Sequence, residues 1–167
     1  MREKLTQSDV EKIEKEIEHR KLIVRKEAIE AVKEARAQGD LSENFEYYAA
    51  KKDKNKNESR IRYLERMLKT AVIVSDQSNE DEVGLNNTVT VAFEEDGEEE
   101  TYRIVTSIRG NSLKGLVSIE SPLGKAILGH KTGERVQVVP DHGAGYYIII
   151  KNIEKTNDEE NDRIRSY

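Results

Sequence analysis

The apolar residues of the first part of the chain follow a helical period. Intervals of three, four or seven separate Val10, Ile13, Ile17, Val24, Ala28, Ala31 and Ala35. This spacing predicts a helix with one apolar face. Ser8 followed by Glu11 is typical of a capping box at a helix start, and Gly39 is suited to closing the same helix.

A second helical pattern follows, with its apolar line at Phe45, Ala49, Ile61, Leu64, Leu68 and Ala71. Two such helices predict an antiparallel hairpin whose arms, at about 1.5 Å per residue, reach roughly 45 Å. Its turn lies at Gly39 to Ser42. Asp53 and Asn57 fall on the apolar line of the second helix. They indicate either a loosely packed, wet stretch or a polar contact that fixes the register of the two helices.

From about Ala71 the apolar period changes to two, which is typical of strands. Strands are predicted at Thr88 to Phe93, around Tyr102 to Val105, and at Leu116 to Glu120, Arg135 to Val139 and Tyr146 to Ile153. Asp96-Gly97 predicts a turn. Ser121-Pro122 predicts the start of a short helix that runs to about Gly129. The fold class is therefore α+β.

Charge and composition divide the chain further. Charged residues make up 37% and apolar residues 35% of the 167 residues, a balance that suits an element with a high surface-to-core ratio such as a hairpin. Residues 1–75 carry net charge +3 and residues 76–167 carry -8. We predict a hairpin domain at 1–75, a linker at 76–84, a β-rich domain at 85–155 and a disordered tail at 156–167.

The chain has no cysteine, which excludes a disulfide framework and a thiolate metal site. The start of the sequence lacks the apolar core of a signal peptide, and no apolar run is long enough to span a bilayer. We expect a cytoplasmic protein with no membrane partner.

Asp40 and Glu43 place two carboxylates in the predicted turn of the hairpin. One interpretation is structural, since an Asp at the N-cap and a Glu three residues later also form a capping box. The other is chemical. Two hard oxygen ligands at an exposed tip can share a magnesium ion with phosphates or with another protein's carboxylates, because magnesium is usually held by one or two carboxylates plus phosphate oxygens.

Basic residues flank this turn. Lys52, Lys56 and Arg60 recur every four residues on one face of the second helix, and Arg36 lies one turn before the tip. Such a cluster is either a solvated face or a strip that contacts the phosphates of a nucleic acid.

Two separate motifs resemble a known family. The runs GDLSENFEYYAAKK and ESRIRYLERMLKTAVIV are similar to the hairpin of the bacterial Gre transcript-cleavage factors, GreA type. The runs SIESPLGKAILG and TGERVQV are similar to the C-terminal domain of the same factors. The similarity covers roughly residues 5 to 155, with both motifs in the family's order.

The resemblance implies a hairpin that enters the secondary channel of RNA polymerase and an FKBP-like domain that binds the channel's rim. Asp40 and Glu43 would help the polymerase hold its second magnesium and position a water, so that the polymerase cleaves its own backtracked RNA. Arg36 and Lys52 would contact the nascent RNA 3' end, and Glu120, Ser121 and Pro122 would dock on the rim. The resemblance then implies a protein that stimulates the polymerase's own cleavage and is not itself an enzyme. We expect the isolated protein to bind no cofactor and to be a monomer.

Two other functions are compatible with these patterns. An FKBP-like domain raises the possibility of a prolyl isomerase or chaperone, although such a site needs an apolar, aromatic-lined pocket and the sequence has no Trp and two Phe. A non-catalytic adaptor, or a competitor at the secondary channel, would share the same fold and would not depend on the tip carboxylates.

Overall fold

The computed structural model describes residues 2–39 and 44–166. Its first part is helical: α1 spans Gln7–His19, a π-helical turn spans Arg20–Val24, α2 spans Arg25–Ala37 and α3 spans Phe45–Thr70. Arg60 of α3 bonds to Glu16, whereas Asn44, just before α3, bonds to Ala35. Because residue numbers rise along one arm as they fall along the other, α3 runs antiparallel to the first arm, and the predicted hairpin is confirmed.

The first helix begins earlier than predicted. Thr6 and Asp9 form the reciprocal capping pair: the Thr6 amide donates to the Asp9 carboxylate at 3.0 Å, and the Asp9 amide donates to the Thr6 hydroxyl at 3.1 Å. The predicted Ser8–Glu11 box is therefore wrong. Both pairs fit the same sequence rule, and Thr6–Asp9 holds the cap because it lies directly before Gln7. At the other end, α2 stops at Ala37 and Gly39 has φ of +142°, a region that favours glycine.

The apolar line of α3 differs from the prediction in its first half. Counting back from buried Ile61 in steps of four and three reaches Asn57, Lys54, Ala50 and Tyr47, which are buried or half-buried. The predicted members Phe45, Ala49 and Asp53 lie on the neighbouring face and are exposed. Phe45, with 85% of its surface exposed, is the largest departure. In the first arm, the predicted member Ala31 is exposed, and the neighbouring Val32 is half-buried instead.

Asn57 distinguishes the two interpretations of the polar positions. It is buried, its side-chain oxygen accepts from the Arg20 guanidinium at 3.0 Å, and its amide donates to the Arg20 carbonyl at 3.3 Å. That carbonyl also accepts the Arg25 amide at the end of the π-helical turn. The contact joins the irregular turn of one arm to a single residue of the other, which favours the polar contact that fixes the register.

The second part contains a five-stranded sheet formed by β3 Thr88–Phe93, β4 Glu99–Val105, β5 Leu116–Ser118, β6 Arg135–Val138 and β7 Tyr146–Glu154. The strand order in this sheet is β5-β4-β3-β7-β6. All five predicted strands are present. A separate parallel pair, β1 Lys4–Leu5 with β2 Val72–Ile73, was not predicted, because two-residue strands carry no readable period.

The short helix α4, Pro122–Ile127, starts as predicted. The Ser121 hydroxyl accepts from the Gly124 amide at 3.1 Å, and Pro122 occupies the first turn. A Cβ at position 124 would lie 2.0 Å from the Ser118 carbonyl oxygen, so close packing requires glycine here. The helix places Ile127 in the core, with Ile104, Val138 and Ile148 among its other members.

The chain divides into two compact units: Met1–Glu3 with Val10–Ala71 (unit 1), and Lys4–Asp9 with Val72–Tyr167 (unit 2). The predicted linker at 76–84 differs from the structure. Val83 is fully buried in the core of unit 2, and Asp76 accepts hydrogen bonds from Ser78 and Asn87. Val83 thus anchors this segment in the core of unit 2 despite the acidic residues that precede it.

The predicted disordered tail is also at odds with the structure. Residues 156–166 contain a 3-10 turn at Glu159–Asn161, and Asp162 pairs with Arg109 at 2.7 Å. The Arg165 amide donates to the Ile108 carbonyl at 2.8 Å. Acidic, polar composition alone predicts a solvated tail, but two of these carboxylates meet buried guanidinium groups of unit 2.

Candidate functional site

The predicted tip carboxylates, Asp40 and Glu43, lie outside the described residues. Asn44 marks the point where the chain re-enters the described part. Its side-chain oxygen accepts from the Tyr47 amide at 2.9 Å, which makes it the N-cap of α3, and its side-chain amide donates to the Ala35 carbonyl at the end of α2. The structural interpretation in which Asp40 caps the second helix is therefore wrong, because Asn44 holds that role.

Arg36 and Tyr47 meet across the hairpin beside the tip. The Arg36 guanidinium lies 5.6 Å from the centre of the Tyr47 ring. A hydrogen bond from Arg36, together with the charges of Lys51 and Lys54, lowers the pKa of the Tyr47 hydroxyl, although partial burial opposes the shift. The lowered pKa reflects the three cationic side chains that surround the Tyr47 hydroxyl, Arg36 above all.

Tyr48 and Phe45 add exposed aromatic surface here. Tyr48 is 52% exposed and packs edge-on against Tyr47, with ring centres 5.4 Å apart. Large exposed aromatic rings are suited to contacting a partner or stacking on a base.

The sequence contained a signal that could have identified Asn44 as the N-cap of α3. Asn is a preferred N-cap residue, and Asn44 stands directly before the helical pattern that opens at Phe45.

The predicted basic strip is divided by burial. Lys52, Lys56 and Arg36 are exposed, as a phosphate-contacting strip requires. Arg60 is only 4% exposed and pairs with the Glu16 carboxylate at 2.9 Å. The prediction of Arg60 as a nucleic-acid contact is wrong, because its charge is used inside the hairpin.

Glu16 receives two guanidinium groups. Arg60 donates to it at 2.9 Å and Arg20 at 2.7 Å. Burial by itself would raise the pKa of Glu16, but the hydrogen bonds and charges of Arg60 and Arg20 outweigh burial and lower it. Arg25 and Glu58 form a second two-bonded pair between the arms, with both distances 2.9 Å. The arms are thus joined by ion pairs as well as by apolar contacts.

The predicted docking residues lie together at the start of α4 in unit 2. Glu120 pairs with Lys4 at 3.1 Å, Ser121 caps the helix and Pro122 occupies its first turn. All three are partly exposed. An open groove beside them is lined by Lys4, Val74, Ile119 and Leu128 among others. The structure therefore brings these residues together on a partly apolar surface.

Within residues 2–39 and 44–166, no helix has the length and apolar character to cross a membrane. The same residues contain no group of three or more His, Asp or Glu side chains arranged to hold a metal ion.

Comparison with known proteins gives two family matches. The model described as "Transcription elongation factor, N-terminal" matches residues 3–73, and the model described as "Transcription elongation factor, GreA/GreB, C-term" matches residues 77–155. A crystal structure of GreA factor homolog 1 of Thermus thermophilus is 28% identical, covers 92% of this chain and 98% of that one, and has a TM-score of 0.42.

Curated relatives agree with both family matches. Transcription elongation factor GreA of Geobacillus kaustophilus is 46% identical over 135 residues, which cover 80% of this chain and 85% of the relative. Transcription elongation factor GreA of Bacillus subtilis is 40% identical over 147 residues, covering 88% and 94%. With two models in the family's order and relatives well above 30% identity, the chain belongs to the GreA/GreB family of transcription elongation factors.

Proposed function

We propose that this elongation factor binds RNA polymerase through the secondary channel and stimulates the polymerase's own cleavage of backtracked nascent RNA. The observation that carries the proposal is the presence of both Asp40 and Glu43 in the run GDLSEN, inside the N-terminal family match at residues 3–73. A factor that retains both carboxylates keeps the two groups on which cleavage depends.

Each arm of the hairpin contributes to presenting these carboxylates. Asn44 caps α3 and bonds back to Ala35, so the ends of α2 and α3 that flank the tip are held together. Arg36 and the exposed Lys52 add positive charge at the same end, which suits contact with the phosphates near an RNA 3' end. The tip then approaches an anionic strand despite its own carboxylates.

Asp40 and Glu43 fit magnesium by their chemistry, since carboxylate oxygens are its preferred protein ligands. Asp40 and Glu43 would hold such an ion together with groups of the polymerase, and the bound ion would supply an activated water for hydrolysis of the phosphodiester bond. The role of Asp40 and Glu43 is to supply negative oxygens that the polymerase lacks. Glu120, Ser121 and Pro122, with the neighbouring groove, are proposed to dock on the channel rim.

The test uses Asp40→Asn and Glu43→Gln, which remove charge while keeping side-chain size. In a halted, backtracked RNA polymerase complex, each variant is expected to lose stimulated RNA cleavage while still binding the polymerase, because the docking residues of unit 2 are untouched. Asp53→Asn is the matched control, since Asp53 is an exposed acid of α3. It should cleave like the parent protein.

Three outcomes decide the proposal. Cleavage at the parent's rate by either tip variant would exclude the metal role of that residue. Binding of the parent without any stimulated cleavage would favour the non-catalytic adaptor or competitor. Acceleration of prolyl isomerisation in a peptide assay, in the absence of polymerase, would favour the isomerase.

A further inference from the structure

Arg109 is a fully buried cation with more than one carboxylate around it. Its guanidinium lies 2.7 Å from Asp9, 2.7 Å from Asp162 and 3.5 Å from Glu159. Asp9 belongs to the N-terminal segment of unit 2, whereas the other two acids come from the tail. The two tail carboxylates are therefore partners of Arg109 in addition to Asp9.

Asn86 and Arg103 complete a pocket around these acids. Asn86 is buried and left-handed, with φ of +71°. Its side-chain oxygen accepts from Arg109 at 2.7 Å, and its amide donates to Glu159 at 3.1 Å and to Asn157 at 3.2 Å. Arg103 pairs with the second oxygen of Asp162. One carboxylate is thus held by two guanidinium groups and the other by an amide and a guanidinium.

The backbone of the tail places both carboxylates, Glu159 and Asp162, at the pocket. The 3-10 turn Glu159–Asn161 separates them by one turn, and the Asp162 side chain is only 7% exposed. Beyond it, the Arg165 amide donates to the Ile108 carbonyl, beside Arg109 in the sequence. The exposed acids of the same segment, Asp158 and Glu160, point to a selective fit rather than to general attraction between a tail and a basic surface.

We propose that Asn86, Arg103 and Arg109 form a carboxylate-binding pocket in unit 2, and that residues 157–166 are its intramolecular peptide ligand. When this ligand is removed, the pocket accepts an acidic peptide with two carboxylates three residues apart. The C-terminal family match ends at residue 155. The ligand therefore lies outside the part of the chain that this match covers.

Loss of the tail leaves Arg103 and Arg109 with fewer partners in a buried setting. Removing one partner of a buried charge pair is costly, because the other charge stays desolvated. Without the tail, unit 2 is therefore either less stable or stabilised by another anion that binds in the pocket. Because the pairs are buried, added salt should screen them less than it screens exposed pairs.

The experiment uses the full chain, Asp162→Asn in the full chain, and a chain that ends at Thr156. A fluorescent peptide of residues 157–166 is titrated into each. The parent should bind the peptide weakly, because its own tail fills the pocket. Asp162→Asn and the shortened chain should bind it on the order of tenfold more tightly. The peptide should also raise the melting temperature of the shortened chain.

Asp158→Asn is the matched control, with the same change of charge in the same segment, and should behave as the parent does. A peptide with Asn in place of Asp162 should neither bind nor stabilise. Equal peptide affinity for the parent, Asp162→Asn and the control would overturn the proposal. If the shortened chain fails to fold, the full-length Asp162→Asn variant still gives the result.

Discussion

Lys56 and Arg60 lie one helical turn apart in α3, yet Lys56 is exposed and Arg60 is 4% exposed. From the sequence, both residues are predicted to belong to one basic strip, because an interval of four places residues on the same face of a helix. Arg60 adjoins Ile61 on the buried side, and its long side chain reaches Glu16. Sequence alone could not pair these residues, since 44 positions separate them.

Local residue signals were more reliable where their partner lies within one turn. Ser121 caps α4, as its position before Pro122 predicted. The first capping box was wrong because Thr6–Asp9 and Ser8–Glu11 overlap and satisfy the same rule. Asp9 also accepts from the Thr106 hydroxyl at 2.6 Å, a distant partner that no local pattern reveals.

At the residue scale, Asn57→Ala should destabilise the protein by about 1–3 kcal/mol, because it leaves polar groups of Arg20 without a buried partner. Urea unfolding of the full chain measures the change. Asn55→Ala is the control, since Asn55 is exposed in the same helix and should have little effect. Equal stability of the two variants would show that the Asn57 contact does not fix the register.

The elements follow the periods in the sequence where these are long. Every predicted strand with a period of two over several residues is present, and so are both arms of the hairpin. The π-helical turn at Arg20–Val24 was not foreseen, because the predicted apolar line steps directly from Ile17 to Val24 and has no intermediate member that would reveal an inserted residue. In α3 the charged run at 51–56 offered no apolar residues to place the face, which explains the shift to Phe45, Ala49 and Asp53.

At the element scale, the ion pairs between the arms should make hairpin stability depend on pH. The folded protein lowers the pKa of Glu16 below the ordinary value of 4.5. Its contribution is therefore present above pH 4.5 and is lost as pH falls through the lowered, folded-state pKa. The difference in urea midpoint between the parent and Glu16→Gln should be full at neutral pH and shrink in that acidic window.

Glu14→Gln is a control for this pH series, since Glu14 is exposed in the same helix. It should stay close to the parent at every pH. A Glu16→Gln deficit that remains constant down to the most acidic pH would contradict the assignment, because it would reflect packing rather than charge.

For the whole molecule, the charge division between residues 1–75 and 76–167 is informative. The net positive first part contains the exposed lysines beside the tip. In the acidic second part, some of the carboxylates form internal ion pairs, as Asp162 does with Arg109. Composition overestimated disorder in that second part. Val83 packs in the core and the buried Asp162 side chain pairs with Arg103. An average over composition cannot predict such specific contacts of single residues.

At this scale, the exposed lysines should govern how salt affects binding to a halted polymerase complex. If Lys52 and Lys56 contact RNA phosphates, each Lys→Ala change should reduce the slope of log affinity against log salt by roughly 0.7, the value for a single strand. Lys69→Ala, exposed farther along the same helix, should leave the slope unchanged. An unchanged slope for both tip-side variants would assign these lysines to a solvated face.

Stimulated cleavage of backtracked RNA can be followed on a single gel. Nascent RNA labelled at its 5' end is followed in purified, halted RNA polymerase complexes with magnesium, with and without this protein. Adding the protein should shorten the RNA, and the shortened transcripts should extend again when nucleotides are supplied. RNA that keeps its length at saturating protein would exclude stimulated cleavage as the function of this protein.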